Sequence, residues 1–264
     1  MNQLTKLKQQ IKKYVRYSPI LGPLLTRYLQ YKTIYQTLPE MISESLRLYK
    51  ILARTNINVI LDVGANNGIT GIRLRNRGYK GKIISFEPIP EIYAELEEWA
   101  KLDSSWECHR FALGNENGVR KFNILGNKPA SSFLEGNELL FKELANCGGA
   151  HKEREEIVEI KKLDDIYSSL CKPEDLVLLK IDTQGFEKHV LDGAEKSLKH
   201  IRLVKMEAGI VQAYKSETSM TEMIQYMKSK GFIPILIETG HVSEETHYQI
   251  QADIVFTNLA YENS

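Results

Sequence analysis

Residues 59–63 read Val-Ile-Leu-Asp-Val, an apolar run holding a single acid, and strands are also read at 82–87 and 106–112. The near-continuous apolar run at 176–182, ending in an acid, suits a strand covered on both faces. Helical spacing of apolar positions occupies 69–77, 90–102 and 187–199, the last placing Val190, Leu191, Ala194 and Leu198 on one face. Further strands are predicted at 201–206, 232–238 and 250–257, with a helix at about 218–230. This alternation predicts an α/β, doubly wound, mostly parallel sheet whose ligands bind at the carboxyl ends of the strands. The 240s read as a return hairpin, so the last strand is expected to run antiparallel. Asn117-Gly118 is a turn signal that predicts a hairpin between the 106–112 strand and Val119–Ile124. Strand character also marks Ile157–Lys161. Between these last two, residues 125–156 lack strong periodicity, carry four glycines and a proline, and hold a short helix around Glu138–Leu144. A long insertion of this kind is expected to act as a substrate lid, with a plain surface loop as the alternative.

The first 55 residues have a different texture. Leu4, Leu7, Ile11, Tyr14 and Val15 follow helical spacing with lysines on the other side, and 20–35 and 39–54 again look helical. The division expected is a basic helical extension, 1–55, and a catalytic domain, 56–264. Charge supports it: the net +1 of the 264 residues divides into +7 on residues 1–39 and −6 on the remainder. The extension admits a helical cap, a homodimer contact, or docking of residues 1–35 on an anionic membrane surface. Nucleic acid is disfavoured, because the whole chain is nearly neutral and no aromatic-basic module accompanies the lysines. A composition of 42% hydrophobic and 26% charged residues excludes disorder and low complexity. Three cysteines without a C-x-x-C spacing suggest reduced thiols, and no secretory signal or roughly 18-residue apolar span is apparent. The expected setting is cytoplasmic, with peripheral contact at the inner membrane face as an extension of it.

The strongest chemical signal is Asp62-Val-Gly-Ala-Asn-Asn-Gly68, directly after a buried strand and before a helix. Glycine lets backbone approach a ligand, and the helix end offers unpaired N–H groups. It is not the dinucleotide fingerprint, since Asn66 and Ile69 stand where G-x-G-x-x-G requires glycine, and no Lys-Ser/Thr follows to make a phosphate loop. Glu87-Pro88 closes the next strand, 23 residues after Gly64, where an acid can accept both hydroxyls of a ribose. A ribose acid without pyrophosphate glycines suits a nucleoside cofactor lacking phosphates, of which S-adenosylmethionine is the obvious one. Asp62 could hold its ammonium directly or through water.

Asp62–Gly68, Phe86-Glu-Pro-Ile-Pro90, Leu163-Asp164, Lys180-Ile-Asp-Thr-Gln-Gly-Phe-Glu187 and Val190-Leu-Asp-Gly-Ala194 stand in the order seen in FkbM-type methyltransferases. The sequence resembles that family over about residues 57–257. The resemblance implies the seven-stranded Rossmann-like methyltransferase sheet, S-adenosyl-L-methionine as methyl donor, and oxygen methylation of a sugar, glycan or natural-product hydroxyl. It implies that Gly64, Ala65, Asn66 and Gly68 form the cofactor turn, that Glu87 with Pro88 meets the ribose, and that Ala112 and Leu113 border the adenine. Ser131-Ser132 resembles a serine pair near the cleft, and Asp182 faces the meeting place of methyl and acceptor. Thr183-Gln184 departs from the Val-Glu often found in the family, so an acidic role there is unavailable.

Methyl transfer to a neutral hydroxyl benefits from a general base or a metal. Asp182 is the first candidate base, Glu207 a second and Glu187 a third, the last equally suited to favouring a helix N-terminus. None of the six histidines lies at ligand spacing, and a metal is not indicated, although carboxylate-bound magnesium is compatible. Two other functions remain in view: a non-catalytic binding protein that keeps the cofactor fold, and a nicotinamide-dependent oxidoreductase, which Glu87 fits but the turn does not.

Overall fold

The computed structural model describes residues 39–145, 151–243 and 245–262. The three readings of residues 1–35 lie outside them. The described chain begins with α1 (Pro39–Arg54), then alternates β1 (Val59–Val63), α2 (Ile69–Asn76), β2 (Lys82–Phe86), α3 (Pro90–Ala100) and β3 (Trp106–His109). After an irregular central region come α5 (Leu163–Leu170), β7 (Val177–Ile181), α6 (Glu187–Asp192), β8 (Ile201–Gly209), α7 (Met220–Ser229), β9 (Phe232–Thr239) and β10 (Gln251–Asn258). The seven-stranded sheet has the order β3-β2-β1-β7-β8-β10-β9. Its β1, β2, β3, β7 and β8 pairings are parallel, and only β10 runs antiparallel, between β8 and β9. The doubly wound sheet with its reversed last strand is thus as the apolar runs predict.

Alternation along each strand separates two cores. Val59, Leu61 and Val63 of β1 join Val177, Leu179 and Ile181 of β7 in a core closed by α5, α6 and α7. Ile60 and Leu178 face the other way, with Leu52, Ile72, Leu96 and Trp106. On that second face one cross-strand row abandons apolar side chains. The parallel register aligns Ser85, Asp62, Lys180 and Lys205 across β2, β1, β7 and β8. Such a row needs internal pairing, because unpaired charge between sheet and helix is costly.

The chain departs from expectation in three places. The hairpin predicted at Asn117-Gly118 does not form with the 106–112 strand. That strand stops at His109; Ala112–Leu113 forms β4, which belongs to a second, three-stranded sheet of order β4-β6-β5. Here β5 (Gly118–Leu125) pairs antiparallel with β6 (Lys152–Lys161), a partner about 35 residues away that no local turn signal announces. Residues 128–130 form a 3-10 turn and α4 spans Glu138–Ala145, so part of the insertion is regular, and β6 starts earlier than its apolar half. Third, the helix expected over 187–199 ends at Asp192, with a 3-10 turn at Ser197–His200. Gly193 packs so close to Gly114 that an added Cβ would lie 1.8 Å from the Gly114 carbonyl oxygen, and the Asp164 carboxylate accepts the Lys196 and Ser197 N–H groups at 3.0 and 2.7 Å. The chain is bent there by tertiary contact.

Candidate active site

The carboxyl ends of β1, β2 and β7 open into a cleft of about 360 Å³, within the usual range of ligand pockets. At its floor the β1 turn and the β7 turn cross. Gly64 adopts φ +71, and a Cβ there would lie 1.9 Å from the Asp182 carbonyl oxygen, so only glycine lets the two turns pass. Asn66 also takes a left-handed φ of 51, which asparagine tolerates. Its N–H donates to Glu87 Oε2 at 3.0 Å, while Ile89 N–H donates to Oε1 at 2.9 Å. Glu87 is thereby fixed at the end of β2 with lone pairs left over. Burial pushes its carboxyl up to about 7, against the opposing pull of these two backbone bonds.

Of the residues singled out from the sequence, Gly64, Asn66, Glu87, Pro88, Ala112, Leu113 and Asp182 line the cleft. Ala65 is buried behind it, its N–H bound to the Phe86 carbonyl. Gly68 (φ +82) packs on Leu96 and Trp106 and starts α2. Ser131, not Ser132, faces the cleft; Ser132 Oγ instead donates to the Gln184 carbonyl at 2.7 Å and holds the β7 turn. Asp62 is 0% exposed and does not reach the cleft. Lys180 Nζ lies 3.0 Å from its Oδ1, an ion pair without hydrogen-bond alignment, so both carboxylate oxygens accept no hydrogen bond among the described residues. Lys180 also approaches Asp182 Oδ2 at 3.4 Å and the Gly64 carbonyl at 3.5 Å. Burial opposes its charge, but the Asp62 and Asp182 carboxylates outweigh burial and raise its pKa.

The three candidate acids sit in three different settings. Asp182 lines the cleft with its side chain 43% exposed. Desolvation works to raise its pKa, and Lys180 and the Gln184 amide override that and hold it low. Glu187 is buried at the start of α6. Its Oε1 accepts the N–H groups of Thr183 and Gly185 at 2.8 and 3.3 Å, so it ties the β7 turn; burial pushes it up to about 7. Glu207, on β8, lines a neighbouring cavity of about 180 Å³ instead. Burial, then Asp182 and Glu187, raise its pKa well above the carboxylate range.

Between Asp182 and Glu207 stands Gln184, held at φ 56. Its Nε2 donates to Asp182 Oδ1 at 2.9 Å and to Glu207 Oε2 at 3.0 Å, and its Oε1 lies 3.1 Å from the Tyr214 hydroxyl. Two carboxylate neighbours dictate which end of the amide carries the N–H groups. Lys180, Gln184 and Tyr214 have no role in the sequence reading. A lysine inside the apolar run 176–182 is the one signal that could have found the first, because a covered strand admits a cation only when it is paired.

A model of the methyltransferase FkbM domain matches residues 62–234. The chain belongs to the FkbM methyltransferase family. Methyltransferase sdnD of Sordaria araneosa is 27% identical over 192 residues, covering 66% of this chain and 73% of that protein. The 2-O-methyltransferase NoeI of Sinorhizobium fredii is 25% identical over 174 residues, covering 65% and 71%. Among solved structures, methyltransferase FkbM from Methylobacillus flagellatus aligns with 75% of this FkbM-family chain at TM-score 0.47 and 13% identity; the chain spans 43% of that protein. No group of three or more His, Cys, Asp or Glu suited to a metal ion occurs among the described residues, and no described helix is long and apolar enough to cross a membrane.

Proposed function

We propose that this FkbM-family chain is an S-adenosyl-L-methionine-dependent O-methyltransferase acting on a hydroxyl of a sugar, glycan or natural product. The observation that carries the cofactor part is the cleft's set of groups. A fixed carboxylate, Glu87, ends β2; Ala112, Leu113, Ile89 and Phe122 supply an apolar wall; and an anionic Asp182 ends β7. These fit, in turn, ribose hydroxyls, an adenine ring and the positively charged end of the cofactor. When bound, the cofactor supplies a methyl group already activated by a sulfonium. The chain supplies alignment: Glu87 accepts the ribose hydroxyls, the Gly64 crossing keeps the turn close, and Asp182, kept ionised by Lys180, presents negative charge where the acceptor must be oriented. The oxygen specificity draws support from NoeI, a 2-O-methyltransferase by name.

The domain division at residue 55, the lid role of 125–156 and membrane contact of residues 1–35 stand as parts of the same proposal. Calorimetry with S-adenosylhomocysteine and with NAD tests the cofactor assignment. S-adenosylhomocysteine is expected to bind and NAD to fail; the reverse overturns it. Glu87→Ala is expected to weaken S-adenosylhomocysteine at least tenfold. Methyl-mass gain on an acceptor, lost in Asp182→Ala with cofactor binding retained, separates an enzyme from a non-catalytic binding protein.

A further inference from the structure

From Leu46 to Lys82 the chain carries eight basic residues and one acid, Asp62, which is 0% exposed. The fold gathers most of these cations on two neighbouring helices. Arg47, Lys50 and Arg54 follow at three- and four-residue spacing along exposed positions of α1. Arg73 and Arg77 do the same on α2, and the exposed Lys80 stands just beyond its end. Tyr49 joins the two helices: the Arg77 guanidinium lies 4.6 Å from its ring centre, and Arg77 and Arg73 both act on its hydroxyl. Leu48, Ile51 and Leu52 of α1 turn inward to the core that holds Ile72 and Leu74, which leaves the cations outside.

Other surface cations stand beside acids: Lys101 with Glu97, Arg120 with Glu116, Lys152 with Glu155, Lys188 with Asp192 and Lys215 with Glu135. Arg47, Lys50, Arg54, Arg73 and Lys80 form no ion pair among the described residues. At the border, Arg75 and Lys82 take the carboxylates of Asp103 and Glu107, at 2.5 and 2.9 Å. Like charges three and four apart on a helix repel, so the bare face destabilises the free chain, and an extended counter-charge relieves it. Acids return in the first half of α1, at Glu40 and Glu44, and on α3, at Glu95, Glu97 and Glu98, so the face is limited in extent. Beyond the end of α3, Leu102 is 76% exposed, next to the Asp103 that Arg75 holds. A lipid surface takes such a leucine at its acyl boundary while its headgroups meet the cations; a phosphate backbone has no use for it. Residues 1–39, which lead into α1, repeat the pattern, with +7 and no acid and with Leu4, Leu7, Ile11, Tyr14 and Val15 at helical spacing.

We infer that the α1–α2 face, with Leu102 at its border, is a docking surface for an anionic lipid bilayer. The inference extends the contact proposed for residues 1–35 to α1 and α2, and it stands or falls apart from the methyltransferase reading. Its place permits both. Ile69, at the start of α2, lines the cleft, whereas Arg54, Arg77 and Lys80 lie toward the amino ends of β1 and β2. A bilayer that meets those residues leaves the cleft, at the carboxyl ends, open.

The test is flotation of the full chain with vesicles of phosphatidylcholine alone and of phosphatidylcholine with about a third phosphatidylserine, at about 0.1 M salt. Binding is expected to the second and not to the first. Replacing Arg47, Lys50, Arg54, Arg73 and Lys80 by Gln is expected to weaken it at least tenfold, since each basic residue at such a surface contributes about fivefold. Replacing Lys121, Lys152, Lys188, Lys215 and Lys230 by Gln removes the same charge from other parts of the surface and is expected to change it less than threefold. Replacing Lys6, Lys8, Lys12 and Lys13 by Gln is expected to leave binding that the α1–α2 substitutions then abolish. An unchanged circular-dichroism spectrum certifies the fold of each variant. No binding by the unaltered chain, equal binding to both vesicles, an equal loss in the two five-residue variants, or less than a threefold loss in the α1–α2 variant overturns the inference. So does a short single-stranded RNA that binds more tightly than the vesicles and is lost with the same five cations, which assigns the face to nucleic acid. Titration with S-adenosylhomocysteine reports separately on the methyltransferase reading, and its failure leaves the vesicle result standing.

Discussion

Replacing Gln184 by Glu changes almost no volume and reverses two contacts. In place of N–H donors at 2.9 Å from Asp182 and 3.0 Å from Glu207, a third carboxylate oxygen meets two others. Glu207 is raised well above the carboxylate range and can meet the new oxygen through its own proton, so the repulsion falls on the Asp182 contact, at most about 5 kcal/mol at 3 Å and an effective dielectric of 20. Water screens part of it, because the Asp182 side chain is 43% exposed. Holding a carboxyl of ordinary pKa about 4.3 neutral at pH 7 costs about 4 kcal/mol. Protonation therefore caps the damage at that figure. The sign follows from linkage. The new carboxyl has a folded pKa above its unfolded one, so the deficit is full at high pH and closes as pH falls toward 4.3. Urea unfolding of Gln184→Glu against the unaltered chain is expected to show a deficit of up to about 4 kcal/mol at pH 7 that shrinks to about 1 kcal/mol or less at pH 5. An equal deficit at both pH values, or none, refutes the placement of Gln184 between two acids.

Three further outcomes follow from the same geometry. Gly64→Ala forces a methyl against the Asp182 carbonyl and strains φ +71; S-adenosylhomocysteine affinity is expected to fall at least a hundredfold by calorimetry, and retention within threefold would show that the turn crossing does not shape the site. Lys180→Met leaves Asp62 buried with no counter-charge, a loss of about 3–5 kcal/mol, whereas Lys180→Met with Asp62→Asn is expected to recover much of it in urea unfolding. Glu187→Gln keeps a carbonyl for the Thr183 and Gly185 N–H groups. Since Glu187 is pushed up to about 7 in the folded chain, the native protein loses stability as pH rises from about 4.3 to 7, by up to about 3 kcal/mol; the variant is expected to match it at pH 5 and exceed it at pH 8, and an identical offset at both would contradict the burial.

The legibility of this molecule from its residues is uneven for physical reasons. Val59–Val63 and Val177–Ile181 are plain because both faces of these strands are covered, leaving nothing but apolar side chains and the occasional paired charge. The glycine turn and Glu87 are plain because a close crossing and a strand-end acid each need a particular residue at a particular place. The β5–β6 pairing is hidden because Asn117-Gly118 obeys a local turn rule while the partner strand is far along the chain. The Leu163–Leu170 helix, two turns long, is too short for periodicity to speak. Distances between side chains were least accessible: nothing in Thr183-Gln184 as letters says that the amide separates Asp182 from Glu207, or that Glu187 ties a turn and Glu207 faces another cavity.

Gly68, at the end of the β1 turn, and Gly71, in the first turn of α2, rest on Trp106. A Cβ at Gly71 would lie 2.2 Å from that indole ring and one at Gly68 3.3 Å from it, and the indole Nε1 donates to the buried Ser85 hydroxyl at 3.0 Å. The chain has one other tryptophan, Trp99. With Trp99 replaced by phenylalanine, all tryptophan emission comes from a ring wedged beneath the Gly64–Gly68 turn. The molecule thus carries its own optical gauge of that turn, and ligand entry becomes a change in colour and intensity, readable in a cuvette without label or acceptor.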